Sequence, residues 1–182
     1  MFSYTSAIGN ILLIVYVNDI IITGDYKKCT DDLKRYLQNS FQTKDLGKLC
    51  YLLGIEVARS KVGISLSHKK YVLNTLEETG LLRSKPMKTL MDPNVKLYEV
   101  QGELLSNLKR YRRLVGKLND LTITHLDISF AISILSRHMK DHHLPHWEVV
   151  IRIVRYLKAH PGRGLLYKAN GHRWVETYID AN

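Results

Sequence analysis

Two apolar runs rich in β-branched residues lie on either side of a short polar pair near the amino terminus. The runs cover residues 11–17 and 20–22, and the pair between them is Asn18-Asp19. β-Branched residues favour strands, and Asn and Asp tolerate the positive φ that tight hairpin turns require. The sequence therefore predicts a β-hairpin over residues 11–23 with Asn18 and Asp19 at its tip. That tip holds one ionised carboxylate beside one neutral amide.

The rest of the chain is predicted to be α+β. One helix follows the hairpin, a second antiparallel strand pair comes next, and helical spacing then dominates. Pro86, Pro93 and Gly102 interrupt residues 84–106, which are predicted to form a long loop. The predicted helices cover residues 31–41, 67–80, 107–122, 127–140 and 145–159, and the predicted strands after the hairpin cover 49–58, 64–67, 165–168 and 174–180.

Charge is distributed unevenly along the 182 residues, which carry a net charge of +10. Residues 1–57 hold six basic and six acidic side chains, whereas residues 58–182 hold 21 basic and 11 acidic ones. A basic half favours an acidic polymer as partner, because Lys and Arg displace counterions from phosphates. The alternative is that these charges belong to solvated helix faces.

The chain has no predicted signal peptide and no predicted membrane span. Its first apolar run lacks a basic leader and is interrupted by Asn18 and Asp19, and no stretch reaches the ~20 apolar residues that a spanning helix needs. Cys29 and Cys50 have no metal-binding spacing. We therefore expect an intracellular location, in the cytoplasm or the nucleus.

Several short blocks, in order, resemble the reverse transcriptase of copia-type LTR retrotransposons. The hairpin Tyr16-Val17-Asn18-Asp19 is similar to the Tyr-Val-Asp-Asp polymerase motif of that family. Further matching blocks are Lys44-Asp45-Leu46-Gly47, Tyr51-Leu52-Leu53-Gly54-Ile55-Glu56-Val57, Leu66-Ser67-His68-Lys69-Lys70-Tyr71, Met91-Asp92-Pro93-Asn94, Tyr111-Arg112-Arg113-Leu114-Val115-Gly116-Lys117-Leu118, Leu126-Asp127-Ile128-Ser129-Phe130-Ala131, His146-Trp147 with residues 151–158, and Tyr178-Ile179-Asp180-Ala181.

The resemblance implies a division into three parts. Residues 1–67 would form part of a polymerase palm, residues 68–160 the helices of the thumb and connection, and residues 161–182 the first strands of an RNase H-like domain. Asp180 would be a remnant of the RNase H carboxylates. On this basis the chain is expected to be a truncated piece of a retrotransposon Pol polyprotein.

The resemblance also implies RNA-directed DNA polymerase as the parent activity, with Mg²⁺ held by three carboxylates. Asp19 matches one of these ligands, and Asn18 stands where the family has another aspartate. An amide brings no charge and binds a hard cation less well than a carboxylate does. We therefore expect that Mg²⁺ is not bound productively and that the chain alone is inactive. The alternative is that Asn18 and Asp19 serve only as turn residues.

One further segment carries an expectation based on the family. Leu53 and Gly54 resemble the hairpin that grips the primer end, although packing of one half-buried strand over residues 49–58 would also explain the pattern.

The basic residues of the helix at 107–122 give the main binding hypothesis. The four cations on one face are Lys109, Arg110, Arg113 and Lys117, and Arg152, Arg155 and Lys158 form a weaker second basic face. In the family, helices of this region border the RNA or DNA primer–template, so the alternative function is a non-catalytic nucleic-acid-binding module. A solvated helix face, in a dormant fragment without activity, is the other interpretation.

A cluster of histidines lies between the last two predicted helices. His138, His142, His143 and His146 include pairs four residues apart, but a predicted helix end between them breaks the register that a metal site would need.

The hairpin at 11–23 is apolar on both faces. Such a hairpin leaves an exposed apolar edge, and self-association through that edge is expected.

Overall fold

The computed structural model describes residues 1–7, 9–91, 103 and 107–169. Within these residues the fold is α+β, with two antiparallel sheets and five α-helices, which confirms the predicted fold class. The chain divides into two compact units, Met1–Leu52 and Leu53–Asn182. In the described ranges, no helix is both long enough and apolar enough to cross a bilayer.

The first unit is built on a three-stranded antiparallel sheet. Its strands are β1 (Phe2–Ser6), β2 (Gly9–Tyr16) and β3 (Asp19–Gly24), in the order β1-β2-β3. The apolar runs therefore form β2 and β3, as predicted, and the lead-in segment forms an edge strand. The helix α1 (Lys27–Ser40) begins four residues before the predicted start, and Tyr26 occupies its cap position without a side-chain hydrogen bond.

The second sheet joins strands from distant parts of the chain. Its strands are β4 (Tyr51–Leu52), β5 (Ile55–Arg59), β6 (Gly63–Ser67) and β7 (Gly164–Lys168), in the order β4-β5-β6-β7. β6 pairs antiparallel with both β5 and β7. The strand predicted at 165–168 is therefore confirmed, and it completes a sheet that starts before the helices. The strand predicted at 174–180 lies outside the described residues.

Four helices supply the hydrophobic core of the second unit. They are α2 (Lys69–Glu78), α3 (Leu108–Leu121), α4 (Ser129–Arg137), which follows a 3₁₀ turn at Leu126–Ile128, and α5 (Leu144–Leu157). Each helix buries one apolar stripe against its neighbours, and this burial is the main source of stability in such a unit. Buried members of the stripes include Val72, Leu76, Tyr111, Val115, Leu118, Ile132, Leu135, Val150, Ile153 and Leu157.

The helix boundaries follow local capping chemistry. The Asn107 side chain accepts a hydrogen bond from the Arg110 backbone N–H at 3.0 Å and so starts α3. Gly80, with a φ of +73°, follows the end of α2, and Pro145 lies in the first turn of α5. The helix predicted over 67–80 begins two residues late, because His68 occupies the N-cap position.

Phe130 is apolar but lies outside the core. It is 70% exposed, whereas Ile134 on the same helix is buried. The apolar stripe of α4 is therefore wider than the face that is buried.

Candidate functional site

The tip of the first hairpin is shifted by one residue from its predicted place. Tyr16 pairs with Asp19, so the two-residue turn is Val17-Asn18 and Asp19 is already the first residue of β3. The prediction of Asn18-Asp19 as the turn pair is therefore wrong. The reason is the register of the β-branched ladder, in which Val15 pairs with Ile20.

Val17 carries an unusual backbone conformation at this tip. Its φ is +50°, and its side chain is 82% exposed. Positive φ at the first turn residue alone is the pattern of a type II′ hairpin, which usually places Gly there. A β-branched residue in this region is strained, by an amount on the order of 1–3 kcal/mol. The hairpin thus holds Asn18 and Asp19 on a strained, solvent-facing turn.

The donor chemistry of the tip does not fit a pair of Mg²⁺ ions. Asp19 supplies one carboxylate and Asn18 one neutral amide oxygen, and both residues are exposed. In the part of the chain that the structure describes, no three His, Cys, Asp or Glu side chains are grouped so that they could hold a metal ion. Two hard dications need several anionic oxygens close together, so this pair is a poor donor set.

Leu53 and Gly54 form the turn of a second hairpin, between β4 and β5. Both have positive φ, +51° at Leu53 and +87° at Gly54, as in a type I′ turn. The prediction of one continuous strand over 49–58 is wrong, because the chain reverses direction at Leu53 and Gly54, in the segment for which the family resemblance implied a hairpin. The buried Gly54 lies close to two rings, since a Cβ at this position would lie 3.1 Å from Tyr71 and 3.4 Å from His68.

The predicted basic face of α3 is partly neutralised. Arg113 forms an ion pair of 2.7 Å with Glu78 of α2, and Lys117 also pairs with that carboxylate. The hydrogen bond from Lys117 is the main reason why the pKa of the Glu78 carboxyl is lowered. The sequence did not indicate this acid, because it lies 39 residues from Lys117 and meets it only through the packing of α2 near α3.

The amino-terminal half of the same face is more open. Lys109 and Arg110 are exposed, and the Arg110 guanidinium lies over the Trp147 ring at 4.9 Å from the ring centroid. Such stacking fixes the guanidinium without removing its charge. The four predicted cations therefore divide into an open pair and a pair that shares one carboxylate.

The second basic face holds a chain segment in place. Arg152 donates to the Thr89 hydroxyl at 2.6 Å, Arg155 donates to the Lys85 carbonyl at 2.8 Å, and Lys158 donates to the Ser84 carbonyl. The first part of the predicted loop at 84–106 is therefore ordered along α5, while most of the remaining part lies outside the described residues. This arrangement was not predicted, because it depends on contacts between residues 63 to 74 positions apart in the chain.

The histidines do not assemble into a metal site. His138 and His146 have ring centroids 4.2 Å apart, and the fully buried His142 stacks on Tyr111 at 4.1 Å. Burial is the main cause that lowers the pKa of His142. These rings therefore act as packing groups in the carboxyl-terminal part of the helical core.

Sequence reasoning missed a buried polar chain beside the second hairpin. His68, Thr124 and His125 are all buried, and the Thr124 hydroxyl lies 2.7 Å from Nδ1 of His68 and 3.2 Å from Nδ1 of His125. The His68 ring also donates a hydrogen bond to the Leu53 carbonyl. His68 thus supports the turn that carries Leu53 and Gly54. The predicted RNase H remnant, Asp180, lies outside the described residues.

The comparisons with known proteins agree on one family. The profile described as reverse transcriptase (RNA-dependent DNA polymerase) matches residues 1–93. The chain is 36% identical to the retrovirus-related Pol polyprotein from transposon RE1 of Arabidopsis thaliana, over 94% of this chain and 12% of that protein. It is 32% identical to the corresponding polyprotein from transposon TNT 1-94 of Nicotiana tabacum, over 94% of this chain and 14% of that protein.

A shorter relative is covered over most of its length. The chain is 32% identical to an uncharacterised mitochondrial protein of Arabidopsis thaliana, over 93% of this chain and 70% of that protein. No solved structure shows significant similarity. The chain spans only 12% of the length of the Pol polyproteins that match it first. It belongs to the reverse transcriptase (RNA-dependent DNA polymerase) family, in the form found in the Pol polyproteins of copia-type transposons.

Proposed function

We propose that this chain is a reverse transcriptase relative that does not catalyse DNA synthesis on its own. The single observation that carries the proposal is Asn18, an amide at the hairpin position where the motif of the family has an aspartate. Polymerase chemistry depends on two divalent cations, which would activate the attacking oxygen and stabilise the leaving oxygen. With one carboxylate at the tip, the chain provides too little negative charge there to hold both cations.

Primer extension tests this proposal directly. The purified chain and its Asn18→Asp variant are each given a primed RNA or DNA template, deoxynucleoside triphosphates and either Mg²⁺ or Mn²⁺. We expect no template-copied product from the unaltered chain, and circular dichroism shows whether the variant has the same fold. Extension by the variant alone would assign the defect to position 18. Template-copied product from the unaltered chain would overturn the proposal.

The following division of the chain is also part of the proposal. Residues 1–67 correspond to part of a palm, residues 68–160 to thumb and connection helices, and residues 161–182 to the start of an RNase H-like region. The family match over residues 1–93 supports the first assignment, and the consecutive helices α2 to α5 are compatible with the second. For the third part, the pairing of β7 with β6 means that its first strand belongs to a sheet whose other strands lie in residues 1–67.

A second candidate function is nucleic-acid binding without catalysis, with a primer–template as the partner. It is favoured by the open cations Lys109 and Arg110 on α3, beside the pair that shares Glu78. A row of cations along one helix suits sequence-independent contact with phosphates. Because Glu78 offsets part of the charge, Lys109 and Arg110 are expected to contribute most.

The salt dependence of duplex binding tests this candidate. The logarithm of affinity should fall with the logarithm of salt concentration, and K109Q/R110Q should reduce the slope by about 2, at about 1 per lost phosphate contact. E78Q should raise affinity, because it frees Arg113 and Lys117 from a carboxylate. K27Q/K28Q on α1 is the matched control and should leave the slope unchanged. No measurable binding near physiological salt would support a dormant chain instead.

A further inference from the structure

A cleft of about 1010 Å³ lies between the segment 84–89 and the turn after α5. This volume is at the upper end of the range typical of small-molecule sites, about 300–1,000 Å³. It therefore accepts a ligand larger than one inorganic anion. One wall is formed by Lys85, Pro86, Met87 and Lys88, and the other by Tyr156, Ala159, His160, Gly162 and Arg163.

The first wall of the cleft is preformed. Backbone hydrogen bonds tie it to α5, since Met87 N–H donates to the Arg155 carbonyl at 3.1 Å and the Arg155 side chain donates to the Lys85 carbonyl at 2.8 Å. Lys158 and Arg152 hold the two ends of the segment through Ser84 and Thr89. A ligand therefore meets a fixed backbone and does not have to order a loop, which lowers the entropic cost of binding.

The rim of the cleft carries excess positive charge. Lys85, Lys88 and Arg163 supply three cations, and Asp127 offsets one of them through a 2.6 Å ion pair with Arg163. The carboxyl-terminal end of α5 adds a partial negative charge of about half a unit. The three positive charges exceed the combined negative charge of Asp127 and the helix end, so the rim attracts an anion. Lys85 and Lys88 are both exposed and lie on the same wall.

The rest of the lining is largely apolar. Pro86, Met87 and Ala159 present aliphatic surface, and Tyr156 adds an aromatic ring whose hydroxyl donates to Asp127 at 2.6 Å. Cations at a rim beside apolar and aromatic surface suit a ligand that has an anionic group attached to a planar base.

We propose that this cleft binds a nucleoside phosphate, with the phosphate at Lys85 and Lys88 and the base against the apolar lining. The ligand is either a free nucleotide or a nucleotide within a single strand, since both carry a phosphate attached to a nucleoside. The proposal is independent of the α3 face, which shares no residue with the cleft, and of the hairpin tip at Asn18.

Titration of the full chain with adenosine 5′-monophosphate tests the proposal. We expect saturable binding that weakens at least tenfold in K85Q/K88Q, and adenosine without phosphate should bind at least tenfold more weakly than the monophosphate. K27Q/K28Q removes the same charge from the first unit and should bind like the unaltered chain. K109Q/R110Q changes only the α3 face, so it should bind the monophosphate like the unaltered chain. The result at the cleft can therefore be interpreted whether or not the α3 face binds a duplex.

The source is identified by competition with a short oligothymidylate. If the oligomer displaces the monophosphate and binds at least tenfold more tightly, the ligand is a single strand, whereas weaker displacement assigns a free nucleotide. The proposal is overturned if the monophosphate does not bind at millimolar concentration, if K85Q/K88Q with an unchanged circular dichroism spectrum binds it normally, or if adenosine binds equally well.

Discussion

At the scale of single residues, two hairpin turns carry a backbone conformation that L-amino acids rarely adopt. Val17 takes a positive φ although it is β-branched, and Leu53 does so although leucine is not typical of such turns. Both are explained by strand register, which fixes the number of residues left for the turn. A hairpin of this kind can be predicted from the sequence more readily than the turn residue whose backbone is strained.

The buried chain of His68, Thr124 and His125 predicts acid sensitivity. The threonine hydroxyl has one proton, so it donates to one imidazole while it accepts from the other, and the ring that accepts this proton must be neutral. Burial lowers the pKa of both histidines below the ordinary value of 6.5. The stability from these groups is therefore fully present above about pH 6.5 and is lost as pH falls through their lower folded values.

Thermal unfolding measures this effect. The melting temperature should fall between pH 7.5 and pH 5.5, a range in which carboxylates contribute little. H68Q keeps a group that hydrogen-bonds to Thr124 but cannot titrate, so its melting temperature should depend less on pH. A pH dependence equal to that of the unaltered chain would show that His68 is not responsible.

At the scale of secondary-structure elements, apolar periodicity was a good guide to the helices and a poorer one to the turns. The apolar stripes of α3, α4 and α5 identified these helices, because each buries a stripe with helical spacing. Pairings that depend on distant residues could not be predicted. One example is the Glu78 carboxylate of α2, which pairs with cations of α3. Another is the segment 84–89, which hydrogen bonds hold along α5.

The absence of a side chain at Gly164 allows β7 to lie close to β6. A Cβ added at this position would lie 2.0 Å from the Leu66 carbonyl oxygen, which belongs to the paired strand and cannot move aside. Gly164→Ala should therefore disrupt the start of the β6–β7 ladder and destabilise the chain by about 1–3 kcal/mol.

Chemical denaturation and amide hydrogen exchange check this expectation. Protection should be lost at β6 and β7 but kept in α3. Gly116→Ala is the matched control, because no atom lies within 4 Å of an added Cβ there and alanine favours helices. Equal stability of Gly164→Ala and the unaltered chain would contradict the close approach of the two strands.

At the scale of the whole molecule, the two compact units differ in how well they bury their apolar residues. The helical unit has a continuous core, whereas α1 has no buried residue and the first sheet leaves Phe2, Tyr4 and Val15 exposed. Exposed apolar surface on a sheet with open edges favours association. We therefore propose, as expected from the sequence, that the chain self-associates. The edge strand β3 of one copy would pair with a strand of another copy.

Analytical ultracentrifugation over a range of concentrations tests this proposal. The mass should rise with concentration, and Ile20→Lys should reduce the rise, because a lysine on an edge strand opposes strand pairing. Tyr36→Lys introduces the same side chain on the exposed surface of α1 and should have little effect. A monomer at every concentration would contradict the proposal.

The pairing of β7 with β6 also bears on the order of events during synthesis. Almost all of the helical region lies between the two strands, so their ladder is a contact of high sequence separation. While the ribosome is still making α2 to α5, β6 has β5 as its partner in the sheet. Its other edge is unpaired during this time, because β7 has not yet been translated. The sheet is therefore completed only after Lys168 has left the exit tunnel, and the emerging chain is most vulnerable to mispairing until then.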